Sequence, residues 1–385
     1  MSVSRRRFVH TLGAGSLGAL LAPTAAARGL EAHRDPDART MAARGAPDAL
    51  LRLDSNENPN GPGRAALDAM AAVLTGTHRY AFGAAEALRD AVARAHGARP
   101  ANVWVGAGST DVLRAAVHAW TGPTRPLVTA APSFETAAVE AARLGAPVRA
   151  VPVRGDDLRL DLAAMGQAAG GDAGLVYLCN PNNPTATVHA RDAVASFVGR
   201  LGRQTPGCTV LVDEAYHEYV DDARYATAVP LALDDPRVVV ARTFSKVHGL
   251  AGMRVGYAVG HADAIARLGP HLLDLGVNGV GAAAALASLG AAAHVERERE
   301  RNREAREFTR RFFVEAGFAP SASEANFVMV DLRRDVKAFR EACRARGVAV
   351  GRLFPPLLTH ARVSIGSMDE MRQATEVFRS VLKAT

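Results

Sequence analysis

The sequence predicts an α/β fold: a large domain built on a mostly parallel sheet of the seven-stranded type wrapped by helices, and a smaller α+β C-terminal domain. Two observations carry this expectation. Between Asn102 and Val259, short Val/Leu-rich runs alternate with helical stretches, the order that builds a parallel sheet through crossover helices. After about Gly260 the alternation gives way to long charged helices and a few short strands. The 385 residues suffice for two such lobes, each with its own core.

Taken in order, residues 28–50 are polar, aperiodic and rich in Arg, Asp and Ala, which predicts an extended arm. The arm and the first part of the small domain occupy 28–75. The large domain follows over 76–276, with strands predicted at 127–130, 148–153, 175–179, 209–213, 238–242 and 255–259. These runs are short and apolar throughout, as strands buried on both faces are. Helical periodicity lies between them at 111–120, 135–144 and 192–203. The small domain takes 277–385. It begins with an alanine-rich helix over 277–289 and a charged one over 295–316, with Phe308, Phe312 and Phe313 on its apolar side. Strands at 326–331, 348–350 and 362–365 follow, with a helix over 337–346. Ser367-Met-Asp-Glu370 is a capping-box signature opening a last helix that runs to 383.

The first 27 residues have a different logic. Arg5-Arg6-Arg7-Phe8 precedes a glycine-broken apolar stretch and then Ala25-Ala26-Ala27, which is the order of a signal peptide. The stretch is too short to anchor in a bilayer. Ser-Arg-Arg-x-Phe resembles the twin-arginine export signal, so the expected location is the periplasm, with only transient membrane contact, the cytoplasm being the alternative. Taking away Arg5, Arg6 and Arg7 reduces the formal charge from +7 to +4. With no basic block interleaved with aromatics, the charge indicates no nucleic-acid partner. Three widely spaced cysteines, Cys179, Cys208 and Cys343, predict no disulfide framework. No H-E-x-x-H or comparable ligand spacing occurs, so no metal is expected.

Ligands of open α/β sheets gather at the carboxyl ends of strands, and four motifs stand at or near such ends. Val105-Gly-Ala-Gly-Ser109-Thr110-Asp111 opens a helix and suits an anion, although by itself it is as well read as an N-cap. The third glycine of a dinucleotide fingerprint would fall at Asp111, so that reading fails. Cys179-Asn-Pro-Asn-Asn183-Pro184-Thr185 alone is a turn. Val212-Asp213-Glu214-Ala215-Tyr216 ends an apolar strand with an aspartate. Arg242-Thr243-Phe244-Ser245-Lys246 is followed by Gly249, Gly252 and Arg254, which together supply an amine and an anion clamp.

Jointly these motifs resemble the fold-type I pyridoxal 5'-phosphate (PLP) aminotransferases of class I/II, within them the histidinol-phosphate aminotransferase branch. The resemblance runs from Asp54-Ser-Asn-Glu-Asn-Pro59 to Arg362-Val-Ser-Ile-Gly366. It implies PLP as cofactor and Lys246 as the Schiff-base lysine. Asp213 then pairs with the pyridine nitrogen, keeping the ring an electron sink. Asn183 and Tyr216 bond the phenolic oxygen, while Ser109, Thr110, Ser245, Arg254 and more weakly Thr243 form the phosphate cup. Phe134 stacks on the ring where the branch usually has tyrosine. Arg362 forks onto the substrate α-carboxylate. Tyr80 reaches the phosphate of a neighbouring subunit, which implies a homodimer. The implied reaction is ping-pong transfer of an amino group between an amino acid, or an amino-alcohol phosphate such as histidinol phosphate, and a 2-oxo acid. A PLP decarboxylase or lyase is the alternative on the same fold. Two positions depart from the pattern: Ala186 replaces the glycine usual after Asn-Pro-Thr, and Gly351-Arg352-Leu-Phe354 does not reproduce the second-arginine pattern that seats a substrate phosphate, so that Arg352 is either that arginine shifted by one position or an ordinary residue.

Overall fold

The computed structural model describes residues 50–384. The expected export signal over 1–27 and nearly all of the arm over 28–50 lie outside the described residues.

The chain starts in a short strand, β1 (Leu51–Leu53), and continues through helices α1 (Arg64–Val73) and α2 (Ala84–Ala95). The large sheet then assembles from β2 (Val103–Gly106), β3 (Leu127–Ala131), β4 (Val148–Pro152), β5 (Leu175–Cys179), β6 (Thr209–Asp213), β7 (Val238–Thr243) and β8 (Gly256–Gly260). Their spatial order is β2-β8-β7-β6-β5-β3-β4. Strands β3 to β7 pair in parallel, whereas β8 is antiparallel to both of its neighbours, β7 and β2. The reason is local: no crossover helix separates β7 from β8, so the chain turns back at the edge it has just left. Strand β2 escaped the sequence reading because Val103–Gly106 runs directly into the glycine motif Gly106-Ala-Gly108 and is read with it as a loop.

Side chains alternate between two cores, one on each face of the sheet. Val128, Val176, Val210, Val212 and Val240 join one; Leu127, Leu175, Leu211 and Val239 join the other. Helices α3 (Ser109–Trp120), α4 (Thr136–Arg143), α5 (Leu162–Ala169), α6 (Arg191–Gln204) and α7 (Val229–Asp234) connect the strands, and α8 (Ala262–Leu268) follows the last of them. After them come α9 (Gly279–Leu289) and the long α10 (Ala292–Glu315).

The second lobe combines an antiparallel sheet of β9 (Ala319–Pro320), β10 (Phe327–Asp331) and β12 (His360–Ser364), in the order β12-β10-β9, with the parallel pair of β1 and β11 (Val348–Val350). Helix α10 packs over it with α11 (Val336–Arg344) and α12 (Met368–Ala384), and Phe312, Phe313, Phe339 and Phe378 meet in its core. The predicted capping box forms: Ser367 N–H donates to Glu370 Oε2 at 2.6 Å, and Glu370 N–H to Ser367 Oγ at 3.3 Å.

The placement of lobe boundaries by sequence differs from the packing. The sequence places helix α9 in the small domain starting at 277, yet its Ala284 and Ala285 belong to the large core. Ala66 of α1, within the stretch 28–75 shared with the small domain, belongs there too. Helix α9 is so rich in alanine and glycine that its periodicity gave no side to assign. A small cluster of Tyr216, Val247, Ala325 and Phe327 binds the two lobes, with the Tyr216 and Phe327 rings edge to face at 5.1 Å. It lies beneath the residues described next.

Candidate active site

Sheet register brings the four motifs to one edge. Asp213 ends β6 opposite Cys179, the end of β5, and opposite Ala241 of β7. Thr243 ends β7 opposite Gly256, which in turn faces Gly106 at the end of β2. Because β8 runs the other way, its beginning rather than its end comes to this edge, and Arg254 arrives with it.

The anion-binding part is made of backbone and short side chains. Helix α3 starts at Ser109 with Thr110 behind it, and the first N–H groups of a helix have no acceptor within it. Gly108 has φ +80°, and a Cβ there would collide with Arg254 Nη2. A Cβ on Gly256 would strike the Ser109 nitrogen, so glycine at both positions lets three segments converge. Arg254 Nη1 donates to Ser245 Oγ at 3.2 Å and to the Ala251 carbonyl at 2.9 Å. Arg254 itself holds a left-handed backbone, φ 53° and ψ 62°, a conformation that costs a non-glycine residue about 1–2 kcal/mol. Thr243 stands one layer back: its hydroxyl donates to Ser245 Oγ at 2.9 Å and accepts from Ser245 N–H at 3.1 Å. It orients Ser245.

Beside this cup lie the acid and the amine. Asp213 is buried, its Oδ2 accepting from the Tyr177 hydroxyl at 2.8 Å and its Oδ1 from Ala215 N–H at 3.1 Å. Burial raises its pKa to about 6, against the pull of these two donors and of the Lys246 charge. Lys246 Nζ donates to the Asn56 carbonyl at 3.2 Å and sits 5.5 Å from the centre of the Tyr216 ring. Burial first, and the Arg362 charge second, lower the amine to about 8. Such an amine is substantially neutral in weakly alkaline solution. Asn56 is itself pinned: its side-chain N–H donates to Tyr216 Oη at 3.1 Å, its Oδ1 accepts from Ser364 Oγ at 2.7 Å, and its backbone N–H donates to the same Oγ.

Across from these groups is an arginine pair. Arg362 Nη1 donates to Asn183 Oδ1 at 2.7 Å and Nη2 to the Asp54 carbonyl at 2.6 Å, while its buried Nε has no partner. Burial pushes this guanidinium down to about 10, so it stays charged at neutral pH. Phe354 carries both arginines on its ring, Arg352 Cζ at 4.2 Å and Arg362 Cζ at 4.8 Å from the centroid. Arg352 Nη2 is hydrogen-bonded to Glu135 Oε1, and Nη1 to the Leu353 carbonyl at 2.7 Å. Phe134 precedes Glu135 in the loop between β3 and α4, partly buried against the core on that face.

An anion cradle at a helix start, a buried carboxylate and a lysine of lowered pKa, faced by an arginine with an unpartnered Nε, thus lie at one edge of the sheet. Residues 48–378 match the sequence family described as aminotransferase class I and II. The chain belongs to this family. It is 37% identical over 336 residues to a histidinol-phosphate aminotransferase of Symbiobacterium thermophilum, covering 86% of this chain and 91% of that protein. It is 35% identical over 319 residues to an aromatic amino acid aminotransferase of Thermobifida fusca, covering 83% and 87%. Among solved structures, a histidinol-phosphate aminotransferase of Sinorhizobium meliloti in complex with pyridoxal 5'-phosphate superposes with a TM-score of 0.82 at 29% identity, covering 91% of this chain and 95% of that one. The protein is thus a transaminase, and its cofactor is PLP. The residues fit that group: the cup suits a phosphate, and Asp213 suits the pyridine nitrogen.

The aminotransferase brings together Lys246, Asp213, Tyr216, Asn183, Ser109, Thr110, Thr243, Ser245, Arg254, Phe134, Arg362 and Arg352. Tyr80, expected at the phosphate of a neighbouring subunit, is not part of this chain's own site. Its side chain is 77% exposed and lines a separate, largely apolar cleft of about 640 Å³ with Leu275, Val277 and Leu286. Sequence reading missed Tyr177, Asn56 and Glu135. Tyr177 looked like one more apolar strand residue. Asn56 was within a quoted motif, but only the fold shows that its carbonyl meets Lys246. Ala186, noted as a departure, has φ 61°, which is the physical reason a glycine suits that position.

Proposed function

We propose that this aminotransferase moves the amino group of an α-amino acid to a 2-oxo acid, with Arg362 as the fork for the α-carboxylate shared by both. The observation that carries this reading is the Arg362 guanidinium: buried, charged, anchored by Asn183 and the Asp54 carbonyl, and left with an unpartnered Nε. A guanidinium so placed favours a planar carboxylate over a neutral group.

Bound PLP supplies an electron sink for the bonding pair of the substrate's α C–H. Ser109, Thr110, Ser245 and Arg254 hold its phosphate, Asp213 holds its ring nitrogen, Asn183 and Tyr216 its phenolic oxygen, and Phe134 covers one face. Lys246 is the base, taking the proton from the donor's α-carbon through Nζ and returning it to the carbon that receives the amino group. Its lowered pKa makes it competent for this at mildly alkaline pH. Arg362 meanwhile fixes the donor so that the α C–H stays within reach of Nζ.

Two broader features belong to the same reading. A second copy of the chain covers the cleft beside Tyr80, where Tyr80, Phe82 and Leu275 are exposed, because a monomer rarely leaves such a patch open. The chain is exported in folded form, supported by the Ser4-Arg5-Arg6-Arg7-Phe8 head and the apolar stretch after it.

Arg362→Gln tests the fork. It is expected to lower kcat/KM for α-amino acid donors by roughly 10²-fold or more, the usual effect of truncating a buried charged partner, while the absorbance of lysine-bound PLP persists. Unchanged kcat/KM would overturn the assignment.

A further inference from the structure

We infer that Glu135 is a specificity-determining residue: by holding Arg352, it makes the enzyme select α-amino acids over amino-alcohol phosphates. This rests on Arg362 being the carboxylate fork.

The two donor classes differ first in charge. An α-carboxylate carries one negative charge, and one guanidinium satisfies it. A phosphate monoester approaches two charges near neutral pH and offers three acceptor oxygens, so it calls for a second cation at the same end of the site. Arg352 is the cation in the right place, sharing the Phe354 ring with Arg362. It is, however, already engaged. Its Nη2 is committed to Glu135 Oε1, its Nη1 to the Leu353 carbonyl, and its plane to Phe354. Both members of the ion pair are only about one-third exposed, at 28% for Arg352 and 32% for Glu135, so water screens the pair incompletely.

A phosphate arriving here would have to break that pair and would then face the Glu135 carboxylate, a like charge with its partner removed. An α-carboxylate on Arg362 leaves the pair intact. Gly351 adds to this discrimination. A Cβ there would lie 3.2 Å from Arg362 Nε and 2.7 Å from the Arg362 carbonyl, so the position accommodates no side chain, and no second cation can come from it. The arginine next in line has to reach the site from the following position, where it finds Glu135.

The test uses the PLP-loaded enzyme and two donors, histidine and histidinol phosphate, with one 2-oxo acid as acceptor. The readout is the ratio of the two kcat/KM values measured on one sample, which does not depend on how much of a variant has folded. The native enzyme is expected to favour histidine. Glu135→Gln keeps the side-chain shape and frees Arg352, and should move the ratio toward histidinol phosphate by about tenfold or more. Adding Arg352→Gln to that variant should reverse the shift. A native enzyme that prefers histidinol phosphate, or a ratio unmoved by Glu135→Gln, would overturn the inference. Histamine, which lacks the carboxylate, separates the two levels of the argument. If the native enzyme uses histamine as well as histidine, the Arg362 fork itself fails. Strong rejection of histamine together with an unmoved ratio refutes only the role of Glu135.

Discussion

The cofactor end and the substrate end of this site are built by different means. The cofactor end is made of strand ends and the turns that follow them: Gly108 and Ser109 after β2, Asp213 at the end of β6, Ser245 and Lys246 after β7, Arg254 before β8. Register alone places these residues together. The substrate end is made of contacts between distant parts of the chain, such as Arg362 with the Asp54 carbonyl, 308 residues apart, and Arg352 with Glu135, 217 apart. The first region is constrained by backbone geometry and tolerates little change. The second depends on side-chain pairing across the two lobes, and there a single ion pair is enough to redirect specificity.

The largest effect should come from the one residue that serves both ends. Lys246→Ala removes the amine proposed to hold the cofactor and move the proton, so turnover should fall by roughly 10²–10⁴-fold from lost proton transfer alone, with thermal unfolding little changed. Retention of normal amino-group transfer would remove Lys246 from the mechanism.

Gly108→Ala separates the two ends more finely. A methyl group there displaces Arg254 from its seat, and losing a charged hydrogen bond of about 1.5–3 kcal/mol corresponds to roughly 10- to 100-fold weaker PLP binding. At saturating PLP, the preference for α-amino acids over their decarboxylated amines should remain, because Arg362 is untouched. A collapse of that preference would show that the two regions are not independent.

Tyr177→Phe is the mildest probe. The Tyr177 hydroxyl favours the ionised form of Asp213, whose pKa burial has already raised to about 6. Without that donor the pKa rises further, so the ionised carboxylate is lost at a higher pH as acid is added. The acid limb of the kcat/KM profile should therefore move to higher pH, with little change on the alkaline side. A shift toward lower pH would contradict the sign of this argument.

Much of the large domain was legible because its strands are buried on both faces: uninterrupted apolar runs such as Leu175–Cys179 and Thr209–Asp213 announce themselves. The last helix was legible because a capping box is a local, self-contained bond pattern. What stayed hidden was the short edge strand β2, the allegiance of α9, and the antiparallel direction of β8. None of these has a period or a cap to reveal it: β2 and α9 are decided by which surface they pack against, and the direction of β8 by the short connection that turns it back beside β7.

By itself, the sequence determined the chemistry at the strand ends: an amine after one strand, a carboxylate at the end of another, glycines and hydroxyls at a helix start. These groups sit beside backbone features that are encoded within a few residues, so local order was enough. The tertiary structure decided what surrounds them. It set Asn56 against Lys246, Tyr177 against Asp213 and Glu135 against Arg352, because hydrogen bonds and ion pairs between remote residues depend on distances that no spacing along the chain records. It also kept Tyr80 out of the site within a single chain, since its exposed position depends on how α1, α2 and α9 meet around it.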